Sequence, residues 1–286
     1  MKVVLIGVGL IGGSMARDIK KAYPEAFIVG KDTNTAHLEK ALELGFIDAV
    51  ADETSLEDTD FIILAIPVNA TLEVLPKILD SIPETAIVMD AGSTKGLICQ
   101  KVKGHPNRRN FLACHPIAGT EFSGPAAAVE GLFEGKTNII CEVEQTAFKL
   151  QEKALDLFSR IGMRIRYMNP DAHDKHIAYV SHLSHISSFM LGKTVIEKEK
   201  NERDIFDMAG SGFESTVRLA KSSPAMWTPI FEQNKENVIE TLDEYIQNLE
   251  SFKLKLIEND FDGIFREMDA TNKIKEILRG IPQNKI

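Results

Sequence analysis

The seven histidines of this chain are the side chains best suited to taking a proton near neutrality: His37, His105, His115, His173, His176, His182 and His185. His37 and His105 lie in polar, surface-like stretches and read as bystanders. His115 closes the apolar run Phe111-Leu-Ala-Cys114 and precedes Pro116, which holds it extended. The strand ends of a doubly wound sheet line a ligand crevice, so His115 is either a working base or a hydrogen-bonded structural histidine. Cys114 beside it cannot form a Cys–His pair, because adjacent strand residues point to opposite faces. Asp90-Ala-Gly-Ser93-Thr-Lys95 follows another apolar run, and Ser93 reads as a helix cap, as a hydroxyl facing the chemistry, or as both. His182 and His185 stand one helical turn apart and share a face. With no acidic or sulfur partner at matching spacing, they read as a polar stripe on a cleft and not as metal ligands. Arg218 fits an ion pair or a ligand for a substrate carboxylate, and Trp227, the only tryptophan, fits plain packing or a lid.

A second cluster of residues is built for a phosphate. Gly7-Val-Gly9-Leu10-Ile11-Gly12 follows a short apolar strand and opens an amphipathic helix. The first glycine permits the turn, the second lets backbone approach a pyrophosphate, and the third lets the helix pack on the strand. The amides of Leu10 and Ile11 would then face the anion at the helix N-terminus. Asp32, twenty residues beyond Gly12, ends the next strand, where a carboxylate bonds the ribose 2′-hydroxyl and repels a 2′-phosphate. NAD is therefore expected over NADP, with Lys31 beside Asp32 as a possible offset. A further strand end, Ala65-Ile66-Pro67-Val68, is where the nicotinamide half would pass.

These residues need a scaffold, and the first 168 positions supply one by alternating β-branched runs with helical patterns. Strands are expected near 3–6, 27–30, 61–66, 86–90, 111–114, 137–142 and 163–167, in a parallel sheet. Helices are expected near 11–21, 35–44, 70–78 and 146–161. Residues 117–136, rich in Gly, Ala and Glu, read as a long loop over one edge. After Asn169-Pro170 the periodicity becomes helical, with one long helix expected over 171–200. Ile239, Leu242, Ile246, Leu249, Phe252 and Leu256 then form an apolar stripe at helical spacing. The fold class is α/β: a Rossmann-like dinucleotide-binding domain over 1–168, followed by an all-α domain over 169–286. The stripe suggests a homodimer through the second domain, unless it is covered within one subunit.

Composition narrows the remaining classes. The net charge of −9 carries no basic run, so binding to nucleic acid lacks its main source of affinity. Apolar runs stop at about eight residues, where a membrane span needs ~20. Met1-Lys2 followed at once by Val-Val-Leu-Ile-Gly is too short for a signal peptide's apolar region. Cys99, Cys114 and Cys141 are odd in number and widely spaced, which fits a reducing cytoplasm.

Taken together, these segments resemble the prephenate dehydrogenase family. The resemblance rests on Gly7–Ser14, Asp90–Lys95, His115-Pro-Ile-Ala-Gly-Thr120-Glu121-Phe-Ser-Gly124, Ser181-His-Leu-Ser-His185, and Gly210–Ala220 with Trp227. It implies an NAD-binding domain followed by a helical dimerisation domain, with active sites in the clefts between domains. It implies oxidative decarboxylation: hydride leaves ring carbon C4 of prephenate for NAD, CO2 leaves C1, and 4-hydroxyphenylpyruvate results. By motif, His115 takes the hydrogen bond or the proton of the C4 hydroxyl and Ser93 orients the reacting groups. Arg218 holds a substrate carboxylate, while His182, His185 and Thr120 line the pocket. Glu121, and more weakly Asp174, would gate entry, and Trp227 would come from the neighbouring subunit. Ser184 stands where the family often has proline between the paired histidines, and the chain leaves no segment for an appended mutase or regulatory unit. Three alternatives stand beside this reading. An arogenate dehydrogenase would differ by one amine on its substrate. Other hydroxyacid dehydrogenases usually carry a lysine on the long helix, where this chain has two histidines. A non-catalytic NAD-binding regulator would have no reason to keep Ser93, His115 and Arg218 together.

Overall fold

The computed structural model describes residues 1–279 except 201 and 203. In chain order the elements are β1 (Lys2–Ile6), α1 (Leu10–Ala22), β2 (Phe27–Lys31), α2 (Thr35–Glu43), β3 (Ala49–Val50), β4 (Phe61–Leu64), α3 (Val68–Ser81), β5 (Ile87–Asp90), α4 (Gly96–Val102), β6 (Phe111–Pro116), β7 (Thr137–Cys141), α5 (Phe148–Arg160) and β8 (Arg164–Met168). The helices α6 (Pro170–Ile177), α7 (Leu183–Glu199), α8 (Ser211–Val217), α9 (Pro224–Gln233), α10 (Lys235–Ile257), α11 (Phe261–Thr271) and α12 (Ile274–Arg279) follow. The eight strands form one sheet in the order β3-β2-β1-β4-β5-β6-β7-β8. β1 pairs in parallel with both β2 and β4, so the chain reverses its direction of sheet growth at β1. A doubly wound sheet opens its ligand crevice at that point, beyond the carboxyl ends of the strands.

Alternation along the strands sends side chains to two separate cores. Val3, Leu5, Ile28 and Ile63 face α1, α2 and α5, while Val4, Ile62, Leu64 and Val88 face α3 and α4. Each large aliphatic side chain so buried contributes roughly 1.5–3 kcal/mol, which holds the strand ends rigidly in register.

The structure departs from the sequence expectations in four places. The sheet is not all parallel, because β7 runs antiparallel to β6. A parallel return needs a crossover of about a dozen residues, usually helical, and residues 117–136 hold only the short helical turn Pro125–Ala127. That segment also reaches beyond a sheet edge, onto a helix. Its Val129 and Gly131 amides donate to Ser14 Oγ (3.0 Å) and Asp18 Oδ1 (2.6 Å) on α1. β3, only two residues long, is not foreseen by the sequence. Finally, the helix expected over 171–200 contains a π turn at Ala178–His182 between α6 and α7.

The chain divides into two compact units, Met1–Lys235 and Glu236–Ile286. The second is helical. Within it Asp260 caps α11 through the Gly263 amide at 2.9 Å, and Lys255 pairs with Glu267 at 2.7 Å. Ile239, Ile246, Leu249 and Leu256 of the apolar stripe are exposed, and Leu242 and Phe252 are half-buried. Among the described residues no helix is long and apolar enough to cross a membrane.

Candidate active site

At the crevice, β1 turns into α1 through Gly7, whose φ of +94° is open to glycine. A Cβ on Gly7 would stand 2.3 Å from the Ala65 carbonyl oxygen, and one on Gly12 would stand 2.0 Å from that of Gly7. Gly9 differs, since a Cβ there would meet nothing nearer than the Gly124 nitrogen at 4.0 Å. Its open side is where a phosphate can reach the first amides of α1, those of Leu10 and Ile11, which no side chain caps. Asp32 faces the same turn. Its Oδ2 accepts from the Val8 amide at 3.1 Å and its Oδ1 from the Asn34 amide at 2.9 Å. His37, expected as a bystander, lies 3.7 Å from that carboxylate. Pro67, exposed, precedes the first turn of α3 at the end of β4, across from Gly7. An open glycine cradle, free helix amides and a carboxylate at the next strand end fit the pyrophosphate and ribose of a dinucleotide.

Two strands along, β5 and β6 end side by side. Asp90 at the end of β5 accepts from the Cys114 amide at 3.0 Å and forms a fully buried ion pair with Lys95. His115 ends β6 just beyond this pair and is itself buried, at 8% exposure. Its Nδ1 lies 2.8 Å from Nε2 of His173 on α6, and Nδ1 of His173 lies 2.7 Å from Oδ1 of Asp174. Burial, and after it the neighbouring His173, Lys95 and His182, push the His115 pKa well below the usual histidine value. His115 is therefore neutral at physiological pH and able to accept a proton.

Asp174 does not gate an entrance. It is buried, and its carboxylate accepts from the amides of Lys95 and Gly96, both at 2.7 Å, which caps α4 from another element. The capping role expected of Ser93 is thus taken by a distant residue. Ser93 stays half-buried on the loop after β5, with no hydrogen-bond partner for its hydroxyl among the described residues.

His182, at the end of the π turn, is fully buried. Asn234 Nδ2 donates to the Asp174 carbonyl at 2.7 Å and lies 3.2 Å from His182 Nδ1. The nitrogen end of that amide faces His182, so Nδ1 accepts and Nε2 carries the hydrogen. Burial dominates in lowering the His182 pKa to about 4. Its Nε2 is buried without a partner among the described residues, as is Trp227 Nε1, so two donors await acceptors. His185 stacks on Trp227 with ring centroids 3.5 Å apart, and Trp227 is buried against Val68 and Ile230. These contacts of Trp227 all lie within one chain. The loop after β5 is tied in as well, through Thr94 to Gln233 (2.8 Å) and Gln233 to Asn69 (2.6 Å).

Arg218, half-exposed, holds Glu121 at 2.8 Å. The carboxyl of Glu121 is held below its usual range, first by its own backbone amide and then by the Arg218 guanidinium. Thr120 is exposed, and its hydroxyl accepts from the Phe122 amide at 3.3 Å within a turn. Among the described residues no three His, Cys, Asp or Glu side chains are placed to hold a metal ion.

The sequence reading named no role for His173 or Asn234. The only hint was the pair His173-Asp174 just inside a helix start, which placed a carboxylate beside a histidine without saying what they meet.

Comparisons with known proteins agree with this geometry. Residues 15–167 match the family model of the prephenate dehydrogenase nucleotide-binding domain, and residues 169–270 that of its dimerization domain. A prephenate dehydrogenase of Bacillus subtilis is 34% identical over 98% of this chain and 76% of its own length. The crystal structure of prephenate dehydrogenase from A. aeolicus in complex with hydroxyphenyl propionate and NAD+ superposes with a TM-score of 0.88 at 32% identity, covering 97% of each chain. A Synechocystis arogenate dehydrogenase gives a TM-score of 0.75 at 26% identity, over 97% of this chain and 100% of its own. With a doubly wound nucleotide cradle, a buried histidine beside it and matches that run nearly end to end, the chain belongs to the prephenate dehydrogenase family.

Proposed function

We propose that this protein converts prephenate to 4-hydroxyphenylpyruvate by NAD-dependent oxidative decarboxylation, a step of tyrosine biosynthesis. The observation that carries the reading is His115, neutral and buried at a strand end beside the dinucleotide cradle, with its Nδ1 already engaged by His173. Gly7, Gly9, Leu10, Ile11, Gly12, Asp32 and Pro67 would hold NAD, and Asp32 disfavours a 2′-phosphate. Bound NAD supplies the hydride acceptor.

His115 takes the proton of the C4 hydroxyl as hydride departs from C4. That departure makes the hydroxyl strongly acidic, so a histidine of low basicity suffices. The C1 carboxylate leaves as CO2, its bonding pair enters the ring, and the ring becomes aromatic. His115 can then return the proton to the phenolate oxygen. Prephenate and NAD+ thus give 4-hydroxyphenylpyruvate, CO2 and NADH with no net proton. Ser93, its hydroxyl uncommitted, orients the C4 hydroxyl. Arg218 binds a carboxylate of the substrate, which competes with Glu121 for the guanidinium. His182 offers a neutral N–H donor, and His185 and Thr120 line the pocket.

The nucleotide-binding part of the sequence gives way to the helical part at 168/169, where strand periodicity ends at β8 and the two family-model matches meet, whereas compactness divides the folded chain later, after Lys235. The protein works as a homodimer through its helical domain, supported by the exposed stripe of α10. It works in the cytoplasm, in keeping with three free, buried cysteines. The test offers prephenate and arogenate, each with NAD and NADP, and follows reduced cofactor by absorbance. Reduction with prephenate and NAD is expected, and His115→Asn should cut it by roughly 100-fold or more while NAD affinity holds. Activity with arogenate alone would reassign the substrate. Silence with both, or a His115→Asn variant as active as the parent, would refute the reading.

A further inference from the structure

We infer that His173 and Asp174 are positioning residues that hold His115 in one tautomer, with hydrogen on Nδ1 and a bare Nε2 facing the substrate. The inference rests on the role proposed above for His115.

The argument follows hydrogens from the inside outward. An ionised carboxylate only accepts hydrogen bonds, and that of Asp174 takes two backbone amides as well as His173 Nδ1. His173 must therefore carry hydrogen on Nδ1. Its side chain is fully buried, and in the neutral ring the other nitrogen, Nε2, is left as an acceptor. Nε2 meets His115 Nδ1 at 2.8 Å, so His115 Nδ1 is the donor and its Nε2 keeps a lone pair. The edge-on arrangement of the two rings, at 71°, suits one ring donating in its plane to the other.

The charged and titratable groups around this chain support the same polarity. The Lys95 ammonium, paired with Asp90, approaches from the loop after β5, and His182 approaches from the π turn. Of the two, the Lys95 ammonium disfavours a cation on His115, while His182 is itself neutral. When His115 takes its proton, the new charge is shared along the donor chain toward Asp174, as in a carboxylate–imidazole dyad extended by one ring. The same carboxylate caps α4 and so fixes the loop that carries Ser93. One buried group thereby sets both the base and the loop opposite it. The opposite polarity, in which a cationic His173 donates to His115, would put hydrogen on His115 Nε2 and leave no base.

Two measurements test this. The first is two-bond 1H–15N correlation spectroscopy on 15N-histidine-labelled protein with NAD and no substrate, assigned with His115→Asn. A protonated Nδ1 and a bare Nε2 on His115 are expected; a protonated Nε2 would overturn the inference. The second compares His173→Gln with His173→Leu. Glutamine can still accept from His115 Nδ1, so its kcat should stay within about tenfold of the parent. Leucine cannot, and kcat should fall by roughly 100-fold or more with KM and NAD affinity within a few-fold, because tautomer control is lost. Equal losses in both variants, or a loss confined to KM, would overturn the inference. Should the leucine variant fail to fold, the spectrum of the parent still decides. A parent inactive on prephenate but showing the expected tautomer would refute the proposed substrate and not the positioning.

Discussion

Gly9 and Gly12 are both glycines of one fingerprint, yet the structure assigns them opposite consequences when each is changed to alanine. At Gly9 the backbone is extended, with φ −76° and ψ −159°, which alanine adopts freely, and the added methyl meets nothing within 4.0 Å. Such a substitution removes unfolded-state entropy worth about 0.4–1 kcal/mol, so the unfolding midpoint should hold or rise by up to a few degrees. The methyl would stand where a pyrophosphate must approach the Leu10 and Ile11 amides. Losing one charge-assisted hydrogen bond of about 1.5–3 kcal/mol corresponds to a Kd for NAD weakened roughly 10- to 100-fold. At Gly12 the methyl would lie 2.0 Å from the Gly7 carbonyl oxygen and 3.1 Å from Leu5 and Ala65 side-chain atoms. Backbone cannot yield cheaply, so Gly12→Ala should lose about 1–3 kcal/mol of stability before NAD is considered. Thermal unfolding with and without NAD, with calorimetric titration of NAD, separates the two. A Gly9→Ala protein that binds NAD as tightly as the parent would refute the cradle. A Gly9→Ala protein that unfolds well below the parent would refute the open space described there.

Two further outcomes follow from charge. His182 titrates near 4 in the folded protein and near its ordinary value when unfolded, so the unfolded chain binds more protons between about pH 6.5 and 4. Its stabilisation is full above that window and lost as pH falls through it, on the order of 3 kcal/mol in all; urea midpoints should fall on acidification, and less so in His182→Gln, while equal slopes would contradict the assignment. Glu121→Gln should lower KM for prephenate by roughly 1.5- to 5-fold, the worth of an exposed ion pair, because Arg218 no longer has an internal competitor; a raised KM would show that Glu121 helps to bind substrate.

How much of this was legible beforehand depends on how far apart the interacting residues lie. Gly12 declares itself because its nearest obstacle, the Gly7 carbonyl oxygen, lies only five residues away in the same turn. The apolar runs of β1, β4 and β6 are legible for the same reason, since alternation and burial are written along each strand. Glu142 shows the limit: it reads as the end of β7, but its φ of +48° and its ion pair with Arg108 terminate the strand one residue earlier. Ser93 shows it more sharply. A serine before a helix reads as its cap, yet the capping carboxylate arrives from Asp174, 78 and 79 positions away from the amides it binds. The π turn before His182 leaves no trace in hydrophobic periodicity, because it inserts a residue without changing composition.

The sequence by itself therefore determined the nucleotide cradle, the strand end that presents His115, and the change to helix after Pro170. Each of these follows from local backbone geometry or from periodicity over a few residues. Only the tertiary structure decided that His173 meets His115 across 58 positions, that Asp174 is a cap and not a gate, and that Trp227 closes on His185 of its own chain. Hydrogen bonds of this kind depend on placing side chains of separate elements to within a few tenths of an ångström. No spacing along a chain encodes that; the packing of α6 against α4 and of α9 against α3 does.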